Sequence, residues 1–123
     1  MGIVYILCDD MIFTSRVTGT ARALGLEASS AKSPERLMEL ARSNVPDCVI
    51  VDLANPGLEI QAFIHELRAM GTKPLRVIAF GSHVDTASLK AARSAGFDLV
   101  LPRSKFTEEL GKSLTAWVSK GEG

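Results

Sequence analysis

Only two cysteines, one tryptophan and one tyrosine occur in the 123 residues, and 14 basic side chains are balanced by 14 acidic ones. Zero formal net charge gives no global field to recruit nucleic acid or an anionic bilayer, so direct contact with either is not expected. The two thiols, Cys8 and Cys48, lie inside apolar runs with no C-x-x-C spacing. They are expected to be buried thiols in a reducing cytoplasm, not a disulfide or a metal site. No apolar run approaches the roughly 20 residues of a membrane span. The first apolar run, Ile3–Cys8, is too short for a secretory signal, lacks a basic flank and ends in two acids. A cytoplasmic location is therefore expected. No G-x-G-x-x-G or Walker pattern, nucleophile elbow or paired Cys/His constellation occurs. An enzyme built around a cofactor in a strand-end crevice thus lacks the phosphate-binding loop it would need.

With 46% hydrophobic and 23% charged residues, the composition is that of a globular protein. The length suits a single domain, residues 1–123, with one proper core. Strand and helix patterns alternate five times. Ile3–Cys8 is a continuous apolar run, the mark of a strand covered on both faces. Phe13, Val17, Ala21 and Leu24 follow at helical spacing, and Gly25 supplies a stop. Leu26–Ala31 is poor in β-branched residues and suits an edge strand. Ser33-Pro34-Glu35 is a strong helix start, with Leu37, Leu40 and Ala41 as the apolar face.

Asp47–Leu53 reads as the third strand, followed by the loop residues Asn55-Pro56-Gly57. Ile60, Phe63, Ile64 and Leu67 form the clearest amphipathic stripe, and Gly71 ends it. Leu75–Phe80 is the fourth strand, leading into Gly81-Ser82. Asp85 is placed to cap a small-residue helix running to Ala95, with Gly96 beyond. Leu99–Leu101 is a short fifth strand. Phe106, Leu110, Leu114 and Trp117 make the last helix face, where Trp117 is expected in the core. Thr107-Glu108-Glu109 is a candidate cap within that helix, and Lys120–Gly123 is expected to fray.

Alternating strands and helices imply right-handed crossovers and a parallel sheet. The expected fold is α/β, a flavodoxin-like three-layer αβα sandwich with a five-stranded parallel sheet in the order 2-1-3-4-5. In that order the first and third strands are neighbours, so Asp9 and Asp10 at the end of one meet Asp52 at the end of the other. Three carboxylates in one place repel each other unless a proton or a hard cation sits among them. Magnesium takes oxygen ligands, and a carboxylate becomes a useful nucleophile toward a phosphoryl group when a cation cancels charge on both partners. The backbone carbonyl of Ala54 is a further candidate oxygen ligand. Two of the acids also have a plainer role open to them: Asp10 as a helix cap, Asp52 as the first residue of a loop.

The residues Ile6-Leu7-Cys8-Asp9-Asp10, Val49-Ile50-Val51-Asp52-Leu53 and Pro56 give the chain a resemblance to the receiver domains of two-component response regulators over nearly its whole length. The resemblance implies that Asp52 is the phosphoacceptor and that Asp9 and Asp10 hold Mg²⁺. It implies a histidine kinase or phosphotransfer protein as donor, and a downstream protein docking on the fourth helix, fifth strand and fifth helix. It also implies no enzyme activity beyond self-catalysed phosphoryl acceptance. If Gly123 ends the protein, the signal is expected to pass on through binding.

Several positions depart from the family pattern. Gly81 stands where the family has a Thr or Ser contacting the phosphoryl group, and Ser82 is the neighbouring hydroxyl. Arg103 replaces the family's lysine, exchanging a point charge for a planar fork. Ser104 replaces the proline that follows it, which puts the cis peptide of that position in doubt. A competing alignment sets Leu101-Pro102 on the Lys-Pro pair and leaves no basic residue there. Val100 stands where many receivers carry an aromatic switch residue. The acceptor and cation ligands thus match the family while the readout is degenerate. The alternative function is therefore a phosphorylation-independent interaction module of the same fold. His83, His65 and the basic residues Lys90, Arg93, Arg103 and Lys105 are read as solvated surface.

Overall fold

A computed structural model describes residues 2–71 and 75–120. Ten elements alternate along the chain. They are β1 (Ile3–Leu7), α1 (Met11–Ala23), β2 (Glu27–Ala31), α2 (Pro34–Ser43), β3 (Cys48–Asp52), α3 (Ile60–Met70), β4 (Arg76–Gly81), α4 (Thr86–Ala95), β5 (Leu99–Pro102) and α5 (Arg103–Lys120). The strands form one parallel sheet in the order β2-β1-β3-β4-β5, as the alternation predicts. No helix among the described residues is long and apolar enough to cross a membrane.

The period-2 alternation of the strands divides the core into two layers. On one face Val4, Ile6, Ile50, Ile78 and Phe80 pack with Phe13 and Val17 of α1 and with Phe106, Leu114 and Trp117 of α5. On the other face Leu7, Val49, Val51, Val77 and Val100 pack with Leu37 of α2, Phe63 and Leu67 of α3, and Leu89 of α4. Trp117 is a core residue, as its spacing implies. β2 is the exposed edge, and Leu26 falls just outside it.

Helix starts follow local chemistry. Asp10 caps α1, accepting hydrogen bonds from the backbone N–H groups of Ile12 and Phe13 at 3.0 and 3.1 Å. Ser33 caps α2 and Asp85 caps α4, each accepting from the N–H three residues on. Gly96 closes α4 at φ 96°, a left-handed value that glycine adopts without steric cost.

The start of α5 differs from expectation. It begins at Arg103, directly after Pro102 closes β5, and Thr107 is not a cap. The Thr107 hydroxyl donates to the Arg103 carbonyl at 3.0 Å, the back-bonding of a residue already inside a helix. The fraying expected at Lys120–Gly123 falls, beyond the backbone of Lys120, outside the described residues. None of the described peptide bonds is cis, so the Arg103–Ser104 bond is trans.

Candidate functional site

Parallel pairing of β1 with β3 sets Leu7 opposite Val51, so the two strands run out together. Asp52 is the last residue of β3 and is 3% exposed. Its Oδ1 accepts the backbone N–H of Ala54 at 2.9 Å, a local turn that fixes the carboxylate plane. Its Oδ2 faces two donors, the Cys8 thiol at 3.4 Å and Nη2 of Arg103 at 3.4 Å. Arg103 reaches Asp10 with its other terminal nitrogen, Nη1 lying 3.7 Å from Oδ2. One guanidinium therefore spans Asp10 and Asp52.

Two rings hold that guanidinium. Its carbon lies 4.5 Å from the centroid of Phe13 and 5.2 Å from that of Phe80. A flat, weakly hydrated cation is attracted to an aromatic face, which a compact ammonium cannot lie along in the same way. The rings continue inward, Phe80 stacking on Phe106 at 4.8 Å and Phe106 on Trp117 at 5.9 Å. Phe13 and Phe80 are site residues that the sequence reading missed. Each looks like an ordinary member of an apolar stripe, and only the sheet order shows that both end beneath Arg103.

Cys8 was expected to be buried, and it is. Burial raises its thiol pKa above 9.0; hydrogen bonds with Asp10 and Thr14 partly oppose the shift, and the Asp52 carboxylate reinforces it. Cys8 is therefore a neutral donor to Asp52 at neutral pH. Cys48 is pushed up much further by complete burial.

The remaining expected residues are placed unevenly. Asp9 is exposed and makes no hydrogen bond or ion pair among the described residues. Gly81 pairs with Pro102 beside the pocket. A Cβ on it would meet Leu53 and Leu89 at 3.5 Å, ordinary contact, so crowding does not dictate the missing hydroxyl. The Ser82 hydroxyl accepts the Val84 N–H at 3.3 Å, a local turn bond. Val100 is buried in the core layer of Leu89 and Ala92. His83 and His65 are exposed, as read. Lys105 is matched by Glu108 and Glu109 at 3.7 and 3.6 Å, so it offers little basic edge.

Asn55 lies in the loop after β3, as its sequence implies, and is also a buried strut. Its Nδ2 donates to the carbonyls of Lys32 and Pro56 at 3.1 and 3.0 Å, tying the loop after β3 to the loop after β2.

Asp9, Asp10 and Asp52 are oxygen donors of the type a hard divalent cation selects. As arranged, no group of three His, Cys, Asp or Glu side chains among the described residues converges to hold a metal. Asp10 is turned to cap α1, and the Arg103 guanidinium supplies the positive charge between it and Asp52. The donor chemistry fits Mg²⁺, provided Arg103 gives way.

Neither the protein-family models nor the curated proteins give a match to this sequence. Solved structures do. A two-component response regulator from Clostridium difficile superposes with a TM-score of 0.84 at 15% identity, each chain covering 100% of the other. The receiver domain of the sensor histidine kinase PA1611 from Pseudomonas aeruginosa PAO1, solved with a magnesium ion coordinated in its active-site cleft, gives 0.81 at 18% identity. That match covers 96% of this chain and 98% of the other. NtrX from Brucella abortus in complex with ADP gives 0.83 at 16% identity over 98% of this chain, which spans only 27% of NtrX. At these identities the likeness establishes the fold: this chain has the flavodoxin-like architecture shared by response-regulator receiver domains.

Proposed function

We propose that this domain is a receiver in two-component signalling, accepting a phosphoryl group on Asp52 from a histidine kinase or phosphotransfer protein. The observation that carries this reading is the buried Asp52 carboxylate at the end of a central strand, with the Arg103 guanidinium 3.4 Å from it. An Asp52 oxygen attacks the donor phosphorus. The phosphorus–nitrogen bond to the donor histidine breaks with its electron pair staying on nitrogen, and an acyl phosphate forms. Charge is the barrier here, because an anionic nucleophile approaches an anionic phosphoryl group.

Asp9, Asp10 and Asp52, with the Ala54 carbonyl, would hold Mg²⁺, which when bound supplies the charge cancellation that the approach needs. Arg103 supplies the second positive group, and its fork suits pairing with phosphoryl oxygens. The Ala54 N–H keeps the carboxylate oriented for attack. Gly81 contributes no hydroxyl to the product and Ser82 is committed to its own turn, so Arg103 carries more of the recognition than a hydroxyl-assisted pocket would ask of it. The surface of α4, β5 and α5 would then present the change to a downstream protein. Beyond accepting its own phosphoryl group the domain has no enzymatic role in this proposal.

The test is incubation of the purified chain with Mg²⁺ and acetyl phosphate, read by intact mass. A single phosphate adduct is expected, dependent on Mg²⁺ and absent in Asp52→Asn. No adduct under any condition would leave a phosphorylation-independent interaction module as the better description.

A further inference from the structure

We infer that Arg103 is an internal counter-cation that competes with a divalent cation for Asp10 and Asp52, held in the competing position by the rings of Phe13 and Phe80. The inference rests on the reading of those aspartates as cation ligands. Two carboxylates this close to the end of one sheet edge need positive charge near them. Arg103 provides it by dividing its fork, one nitrogen to each carboxylate, instead of closing both nitrogens on a single partner. The same oxygens, Asp10 Oδ2 and Asp52 Oδ2, are the ones left over after Asp10 Oδ1 caps α1 and Asp52 Oδ1 takes the Ala54 N–H.

Burial agrees with this arrangement. The Asp52 side chain is 5% exposed and that of Arg103 41%, so the guanidinium lies on the solvent side of the acceptor. A cation or a phosphodonor reaching Asp52 has to displace Arg103 from it. The displacement costs the two ring contacts as well as two ion pairs. The contacts at 3.4 and 3.7 Å are long for charge-assisted bonds, so the latch is releasable. A lysine could not span both carboxylates with a planar fork or lie flat over both rings. The exchange of lysine for arginine thus changes the site's resting state as well as its readout.

Calorimetric titration of the whole chain with MgCl₂ tests this, comparing wild type with Arg103→Gln, Arg103→Lys and Phe13→Leu. Arg103→Gln should bind Mg²⁺ about tenfold more tightly, because a competing charge is gone. Phe13→Leu leaves every charge in place and should still tighten binding about threefold, because it loosens the guanidinium. Arg103→Lys should fall between them. Should Phe13→Leu fail to fold in a thermal melt, Arg103→Lys carries the charge-neutral comparison. Tightening in Arg103→Gln alone would mean simple repulsion and would overturn the latch, as would the absence of Mg²⁺ binding in all four proteins. If the affinity order holds but no phosphate adduct forms on Asp52, the latch stands and the phosphoryl reading fails. An adduct without the affinity order means the reverse.

Discussion

The two edges of the sheet use the same residue types to different ends. At the edge where the strands begin, Asp98 accepts the Val77 N–H at 2.7 Å and pairs with Arg68 at 3.0 Å, and Asp47 accepts the Ile3 N–H at 2.8 Å. These carboxylates satisfy the backbone of strand starts, and their bonds are short. At the edge where the strands end, Asp52 and Asp10 meet Arg103 at 3.4 and 3.7 Å, and Asp9 faces solvent. Short bonds to backbone donors mark acids that hold the fold together. Asp10 and Asp52 each give Oδ1 to backbone donors at 2.9–3.1 Å, but their Oδ2 atoms make only long side-chain contacts, and it is in those oxygens that the two edges differ.

The sharpest way to break this contrast is to remove one acid from each edge. Asp98→Ala leaves the Val77 N–H without its side-chain acceptor and Arg68 without its carboxylate partner, though Arg68 keeps the carbonyls of Leu75 and Gly96, and should cost about 2 kcal/mol in urea unfolding. Asp52→Asn keeps an acceptor for the Ala54 N–H and should change stability by less than about 1 kcal/mol. Equal losses would mean that Asp52 is as structural as Asp98.

A smaller effect separates the two cysteines. Both thiols have folded pKa values raised above 9.0, so the folded protein keeps protons that the unfolded chain releases. Their contribution to stability is fully present below about pH 9 and is lost as pH rises beyond it. The urea midpoint should therefore fall above that pH. Cys48→Ala should flatten the fall more than Cys8→Ala, because Cys48 is the more strongly shifted. The smallest effect belongs to Gly81→Ala. A Cβ there meets Leu53 and Leu89 at ordinary distance, so a thermal melt should show stability unchanged or raised by about 0.5 kcal/mol.

Much of the fold was legible in the sequence because it rests on local signals. Continuous apolar runs, helical stripes and the caps at Ser33 and Asp85 fixed nearly every element to within a residue or two, and the alternation implied the sheet order. The start of α5 was misjudged because Thr107-Glu108 has cap chemistry in isolation, while Pro102 and the back-bond from Thr107 decide otherwise. In the site, Asp52 and Asp10 were legible as acids at strand ends, and Arg103 only through the family resemblance. That Arg103 spans the two acids was not, since it depends on where a five-residue strand and an 18-residue helix meet. Phe13, Phe80 and Asn55 were hidden for the same reason: an apolar residue on an apolar stripe, or an asparagine in a turn, carries no local sign of what it touches.

The central claim is that Asp52 is the phosphoacceptor. Reductive trapping tests it most directly. The chain is treated with Mg²⁺ and acetyl phosphate, then with borohydride, which reduces an acyl phosphate to the alcohol and releases phosphate, and peptides are mapped by mass. Homoserine at position 52, and at no other aspartate, is the predicted result. An unmodified Asp52, or homoserine at Asp9 or Asp10 instead, would contradict it.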